Sequence, residues 1–439
     1  MIVPARRWYQ VAVGLGVFAL LGLVSPVAAP IWLGLGGLWL ALLAIDAVRV
    51  AGGSAESVTL VREGTPALSV GRPLGVRYRW SHPRRIARLW IRETLPAQVI
   101  TTDPTDRFLE LQAGRETIEE RLLVPIARGK IVSWAFDLRI LSPWGLAWRQ
   151  HRFDQDWAIT VYPRLRDAAL KQLPSQSRMR REAGLRQVRR VGEGRLFESL
   201  REWVPGDEMR VVDWKASGRR GKLIARQYED ERRQRVMLVL DAGRMLMAES
   251  DGKARLEHAI EAIGQLAYRA VSLDDDVGLL VFSDRVDHYV PPSRGRRALQ
   301  GVLDVLAAVE GRLVESNYPR GFGFLATQTR RRALTVVFTD VIDRFASDAL
   351  LAQLGGLRPR HLPVAVTLRD LALERLAGHR PITPGGAFER SAAEQLLAVR
   401  AEALSDLRSR GVVIVDAHPD AAAKSVVECY LRLKRRALL

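Results

Sequence analysis

A single cysteine, Cys429, stands among the 439 residues. No intrachain disulfide can form and no cysteine-built zinc cluster is available, which fits a reducing compartment. Histidine is sparse: His82, His151, His258, His288, His361, His379 and His418 show neither paired metal-ligand spacing nor a His-Glu-x-x-His run. No glycine loop ends in Lys-Ser/Thr, and no Gly-x-Ser-x-Gly turn lifts a nucleophilic serine out of a strand. These absences argue against zinc-protease, P-loop and α/β-hydrolase chemistry. The expectation is a chain without catalytic residues or cofactor.

Lysine is scarce as well, so the net charge of +18 is carried almost entirely by arginine. A general compositional bias explains such an excess, and no nucleic-acid role is expected from it. One local concentration stands out. Residues 164–191 hold Arg164, Arg166, Lys171, Arg178, Arg180, Arg181, Arg186, Arg189 and Arg190 against Asp167 and Glu182. That segment reads either as a solvated linker or as a polybasic strip near anionic lipid.

Charge of either sign is missing from Trp8 to Ile45, with Ser25-Pro26 and Pro30 dividing the run. Two membrane-spanning helices are expected within residues 1–50, about Trp8–Val24 and Ile31–Ala47. Trp8, Tyr9, Trp32 and Trp39 suit interfacial depths. A cleaved signal peptide ending at Val27-Ala28-Ala29 is the competing reading, opposed by Pro30 and by the second apolar run. Arg6, Arg7, Arg49 and Arg62 flank the pair, while the connection is uncharged. The positive-inside rule then expects a cell-membrane protein with two spans and cytoplasmic soluble domains.

From residue 55 to 163 the pattern changes to short alternating runs such as LSVGRPLGVRYRW and TIEERLLVPIARGKIVSWAFDLRIL. Period-two alternation with regular turn residues predicts an antiparallel β-sandwich or barrel, the sandwich being the first expectation, with its tryptophans in the core. Leu141-Ser142-Pro143-Trp144-Gly145-Leu146 reads as a tight corner between two strands.

Residues 192–235 interleave charge with large aromatics. Phe197, Leu200 and Val204 fall on one face of a short helix, Pro205-Gly206 turns the chain, and Val211–Trp214 reads as extended. FESLREWVPGDEMRVVDWKASGRRGKL is similar to the signature of the domain-of-unknown-function 58 family: aromatic, Leu-Arg, aromatic, Gly-Asp, Arg, acid-Trp. The Leu141–Leu146 corner resembles one in the same family. The candidate interaction patch is Arg201, Trp203, Gly206, Asp207, Arg210, Asp213, Trp214 and Lys215. As structure, its charges would form an ion-pair network packing Trp203 and a buried Trp214. As function, they would present an Arg- and aromatic-rich surface. The structural role is the first expectation.

Beyond Arg235, buried-strand runs (Val236–Leu240, Val277–Phe282, Leu334–Phe338, Val364–Leu368, Val412–Val415) alternate with helical periodicity at Ala254–Ser272, Arg297–Val309, Ser347–Leu357, Ala392–Ser409 and Ala421–Leu433. This predicts a doubly wound α/β domain over 236–439 with an antiparallel edge at Val286–Val290. The order resembles the von Willebrand factor A fold, whose metal motif is Asp-x-Ser-x-Ser plus a Thr and a second Asp. Here Asp241 is followed by Gly243 and Met245 where that motif has serines, Asp340 matches the second acid, and Ser316-Asn317-Tyr318 offers no clear Thr. No metal is expected. Asp241 and Asp340 should instead bond loops or pair with arginines.

The resemblance implies a membrane-tethered, non-enzymatic adaptor that works with a MoxR-type AAA+ ATPase in protein assembly or maturation. A membrane-face hydrolase using Asp241 and Asp340, and a polybasic lipid or nucleic-acid binder, are the alternatives.

Overall fold

The computed structural model describes all residues except 23–27, 53–57, 64–66, 83–86, 113, 165–195, 205–208, 210–211, 230–232, 251, 341–343, 358–359 and 437–439. Two compact units result, Met1–Arg164 and Leu165–Leu439. The basic stretch 165–191 lies outside the described residues.

The first unit opens on a short strand, β1 (Ile2–Pro4), followed by helices α1 (Arg6–Gly22) and α2 (Ala28–Gly52). With 17 residues, α1 rises about 25 Å, less than the ~30 Å hydrocarbon layer. Among the described residues one helix, over Pro30–Arg49, is long and apolar enough to cross a membrane, where the sequence suggested two. The helices touch: the Trp32 indole N–H donates to the Leu15 carbonyl at 2.8 Å.

The strands that follow are β2 (Thr59–Glu63), β3 (Ala67–Ser69), β4 (Leu74–Ser81), β5 (Ala87–Thr94), β6 (Val99–Thr101), β7 (Asp106–Leu111), β8 (Glu116–Pro125), β9 (Gly129–Leu141) and β10 (Ala147–Tyr162). One sheet runs β1-β10-β9-β5-β7 with β3 added to β10, the other β2-β4-β8-β6. In β4 the alternation buries Val76, Tyr78 and Trp80 while Arg77 and Arg79 point outward. That inner face meets Leu89 and Ile91 of β5 and Trp134, Phe136 and Leu138 of β9 in one core. Glu93 is buried inside it, yet accepts from the Tyr78 hydroxyl at 2.7 Å and the Trp134 indole at 3.1 Å and pairs with Arg107 at 3.2 Å. A buried carboxylate is tolerated on such terms.

The second unit contains β11 (Leu196–Glu202), α3 (Trp214–Arg220), β12 (Ile224–Glu229), β13 (Arg235–Asp241), β14 (Glu249–Ser250), β15 (Lys253–Ala254), α4 (Arg255–Ser272), β16 (Asp276–Phe282), β17 (Val286–Ser293), α5 (Gly295–Ala308), α6 (Tyr318–Gln328), β18 (Leu334–Phe338), α7 (Arg344–Leu357), β19 (Leu362–Leu368), α8 (Leu371–Gly378), α9 (Pro384–Ser409), β20 (Val413–Ala417) and α10 (Ala422–Arg435). The main sheet has the order β17-β16-β13-β18-β19-β20, parallel apart from β17. β13 lies between β16 and β18, and the chain leaves it first to one side and later to the other. The crevice at its carboxyl end is therefore the topological switch point.

Three local expectations change. Phe197–Val204 is not helical: β11 pairs antiparallel with β12, and the register shifts between Phe197 and Ser199. The bulge breaks period-two alternation and leaves a three-residue spacing that imitates a helix face. Within the expected extended run Val211–Trp214, the described residues Val212–Trp214 do not form a strand either. Val212 forms an isolated bridge to Ala225, Asp213 caps α3, and Trp214 is its first helical residue. Finally, α9 begins at Pro384, about two turns before Ala392, because Thr383 caps it and proline is tolerated at its start.

Candidate functional site

Two places in the second unit gather the residues singled out by sequence: the carboxyl edge around β13 and the segment from β11 to β12.

At the carboxyl edge Asp241 is fully buried. Its Oδ1 accepts the Gly243 backbone N–H at 2.9 Å and the Ser316 hydroxyl. Its Oδ2 accepts the hydroxyls of Tyr318 at 3.0 Å and Thr339 at 2.8 Å. Burial, and then the Asp241 charge, push the Tyr318 hydroxyl well above its ordinary range, so it stays a neutral donor. Gly243 and Met245 stand at the two positions compared above with motif serines. A Cβ at Gly243 would fall 2.0 Å from the Ser316 hydroxyl oxygen. The loop before α6 thus brings a hydroxyl to Asp241 from across the crevice, in space that a side chain at 243 would occupy. Met245 sits half-buried in a short 3-10 turn, Arg244–Met247.

Asp340, at the end of β18, is bonded to the guanidinium of Arg255, the first residue of α4. Arg255 is 1% exposed and reaches with its other terminal nitrogen to Asp370. Asp370 caps α8, its Oδ1 accepting from Ala372 at 3.0 Å and Leu373 at 3.1 Å. One fixed cation therefore ties α4, the end of β18 and the start of α8 together. Arg255 was not singled out by sequence; the signal was a charged residue leading an otherwise buried helix face.

A divalent cation does not fit this donor set. Such ions need several oxygen ligands, and both Asp241 oxygens already accept hydrogen bonds from this chain. Asp340 faces the Arg255 guanidinium, a cation already in the place an ion would take. The same engagement leaves Asp241 and Asp340 poorly placed as acid and base.

The β11–β12 segment is the opposite case. The Asp213 carboxylate accepts the Ala216 N–H at 2.9 Å as the cap of α3, and Gly221, with φ +62°, closes the helix in the left-handed conformation. Ser217 Oγ donates to the Asp213 carbonyl at 2.7 Å and accepts the Ile224 N–H at 2.9 Å, locking α3 onto β12. This geometry turns Trp214 outward, 63% exposed, which corrects its expected burial. Val204, Met209 and Leu223 are exposed around the same segment, as are Lys215, Arg219 and Arg220 on α3. Trp203 is half-buried, and Arg201 donates to the Glu202 carbonyl at 3.0 Å. Gly206, Asp207 and Arg210 lie outside the described residues. The ion-pair network expected around Asp207 and Arg210 lies there with them.

The model of a family described as protein of unknown function DUF58 matches residues 199–383. No curated protein matches the chain. Among solved structures, native α2-macroglobulin from E. coli is similar at 13% identity over 24% of this chain and 7% of its own, with a TM-score of 0.19. Salmonella α2-macroglobulin reacted with methylamine gives 14% identity, the same 24% and 7% coverage, and a TM-score of 0.19. The conserved hypothetical protein BatB from Bacteroides thetaiotaomicron gives 12% identity over 46% of this chain and 99% of its own, with a TM-score of 0.29. The chain thus spans a small fraction of the macroglobulins' length.

Proposed function

We propose that this chain is a membrane-anchored, non-enzymatic adaptor whose second unit, an A-like domain, captures a MoxR-type AAA+ ATPase for protein assembly or maturation. The observation that carries the reading is the surface of the β11–α3–β12 segment. An indole at 63% exposure, three further exposed apolar side chains and four exposed cations (Lys215, Arg219, Arg220 and Lys222) sit within one short stretch. Large apolar groups gathered on a surface mark interaction sites, and Trp and Arg are enriched at binding hot spots. The family match covers this stretch. By contrast, Asp241 and Asp340, the acids named for the hydrolase alternative, are held by internal donors, which favours the adaptor reading.

The apolar helix over Pro30–Arg49 supports the anchor, and Arg6, Arg7 and Arg49 support placing both chain ends in the cytoplasm with two spans. Alkaline phosphatase fused after Leu439 should be inactive; periplasmic activity would overturn that orientation. The partnership is tested by affinity capture of the full chain from detergent-solubilised membranes with mass spectrometry. Enrichment of an AAA+ ATPase is expected, and its absence from captures that retain the folded chain would sink the reading.

A further inference from the structure

The first unit is built into its own helices at one end. β1 pairs with β10, the Gln150 N–H donates to the Met1 carbonyl at 2.8 Å, and the Ala5 N–H donates to the Leu146 carbonyl at 2.8 Å, immediately before α1 starts. The end of α2 is fastened to the same corner. Asp46, on α2 and fully buried, accepts the Ser142 hydroxyl and the backbone N–H groups of Trp144 and Leu146, each at 3.2 Å. A carboxylate in an apolar helix is costly unless a partner is built for it, and here the Leu141–Leu146 corner is that partner. Asp46 lies less than one turn before Arg49, where the apolar stretch ends. At about 1.5 Å per residue, the corner is held within about 5 Å of the end of that stretch.

The outer side of the corner is cationic and aromatic. The Arg49 guanidinium lies 4.5 Å from the centroid of the Trp144 ring. Arg7 packs on the next residue, Gly145, whose φ of +74° forms the turn and where a Cβ would meet the Arg7 guanidinium at 3.4 Å. Arg6, Arg7, Arg49 and Trp144 are exposed, whereas Asp46 turns its oxygens inward to the corner's own donors. Two guanidiniums therefore flank consecutive residues of one turn, at the depth where phospholipid phosphates lie if α2 spans a bilayer.

We propose that this corner, with Arg7 and Arg49, binds the phosphate of an anionic phospholipid and seats the strand-built part of the first unit on the membrane surface. The inference rests on the membrane-anchored reading above. Trp144 supplies the amphipathic ring favoured at the interface. Each guanidinium near an anionic surface contributes about 1 kcal/mol, or about five-fold in affinity, so losing both should cost about 25-fold.

The test uses the full chain in nanodiscs of phosphatidylcholine, alone or with a third of phosphatidylglycerol. Lipid retention is read by native mass spectrometry, and Trp144 quenching by headgroup-proximal brominated lipid is taken as the difference from Trp144→Phe. The wild type should retain phosphatidylglycerol selectively and show quenching, and Arg7→Gln/Arg49→Gln should lose the selectivity by about 25-fold while melting as before. Equal selectivity in the double variant, an unquenched Trp144, or displacement of the lipid by millimolar inorganic phosphate would overturn the proposal. Alkaline carbonate extraction separates the two levels. Release of the chain from membranes would defeat the anchored reading together with this inference, whereas retention without lipid selectivity defeats the inference alone.

Discussion

The carboxyl edge and the β11–α3–β12 segment use similar residues to opposite ends. At the edge, Asp241, Asp340 and Arg255 are all at or below 1% exposure and every charge meets a partner from the same chain. In the segment, Asp213 is spent on a helix cap, and the effect of that cap is to hold Trp214, Lys215, Arg219 and Arg220 outward. A buried polar group must be satisfied internally and then contributes to the fold. An exposed aromatic at the head of a capped helix contributes little to the fold and remains available to a partner. The contrast gives the first region a part in stability and, on the function proposed above, the second a part in recognition.

The largest effect should come from breaking the edge. Arg255→Ala strands the buried Asp340 carboxylate and releases the start of α8, so chemical denaturation of the full chain in detergent should show a loss of about 3–5 kcal/mol. A loss below about 1 kcal/mol would mean that the guanidinium is not the fastening described. Removal of the cap comes next. Asp213→Ala should cost about 1 kcal/mol, and because it loosens the helix that presents Trp214, ATPase capture should fall more than stability does.

A smaller effect is expected from pH. His258, on the same buried helix as Arg255, is held below its ordinary value first by burial and then by Lys253. Its folded pKa lies below the unfolded one, so the unfolded chain takes up the proton first as pH falls. The stability it contributes is complete above about pH 6.5 and is lost as pH falls from there through the folded value. Melting temperature should drop between about pH 7.5 and about pH 5.5, and His258→Gln should flatten that slope; an unchanged slope would remove His258 from the explanation. Smaller still is the response to metal. Millimolar Mg²⁺ or Mn²⁺ should leave the melting temperature unmoved, since an ion bound only to the native state must raise it. A rise abolished by Asp241→Ala would show that the edge accepts a cation after all.

Much of the second unit was legible because strands buried on both faces must be apolar runs. Val236–Leu240 and Leu334–Phe338 announce themselves in that way, and every residue of both runs is buried. Interactions were harder to read than elements. Arg255 meets Asp340 across 85 positions and Asp370 across 115, and no local pattern encodes such a pairing. α8 buries none of its residues, so it carries no apolar stripe to recognise, although its Asp370 cap was a readable signal. Trp214 was misleading for a related reason: an aromatic beside an acid reads as core until the acid is recognised as an N-cap, which starts a helix and turns the ring to solvent. The bulge in β11 is invisible to periodicity, since inserting one residue changes the very period being read.

The division between a sealed edge and an open segment is tested most directly by Trp214→Ala, with melting temperature and ATPase capture measured on the same sample. An exposed side chain outside any network should change stability by no more than about 0.5 kcal/mol, while loss of a hot-spot indole should weaken capture by about 30-fold, equivalent to about 2 kcal/mol. Unchanged melting with lost capture is the expected result. A clear drop in melting temperature, or full capture by the variant, would contradict the assignment of recognition to this segment.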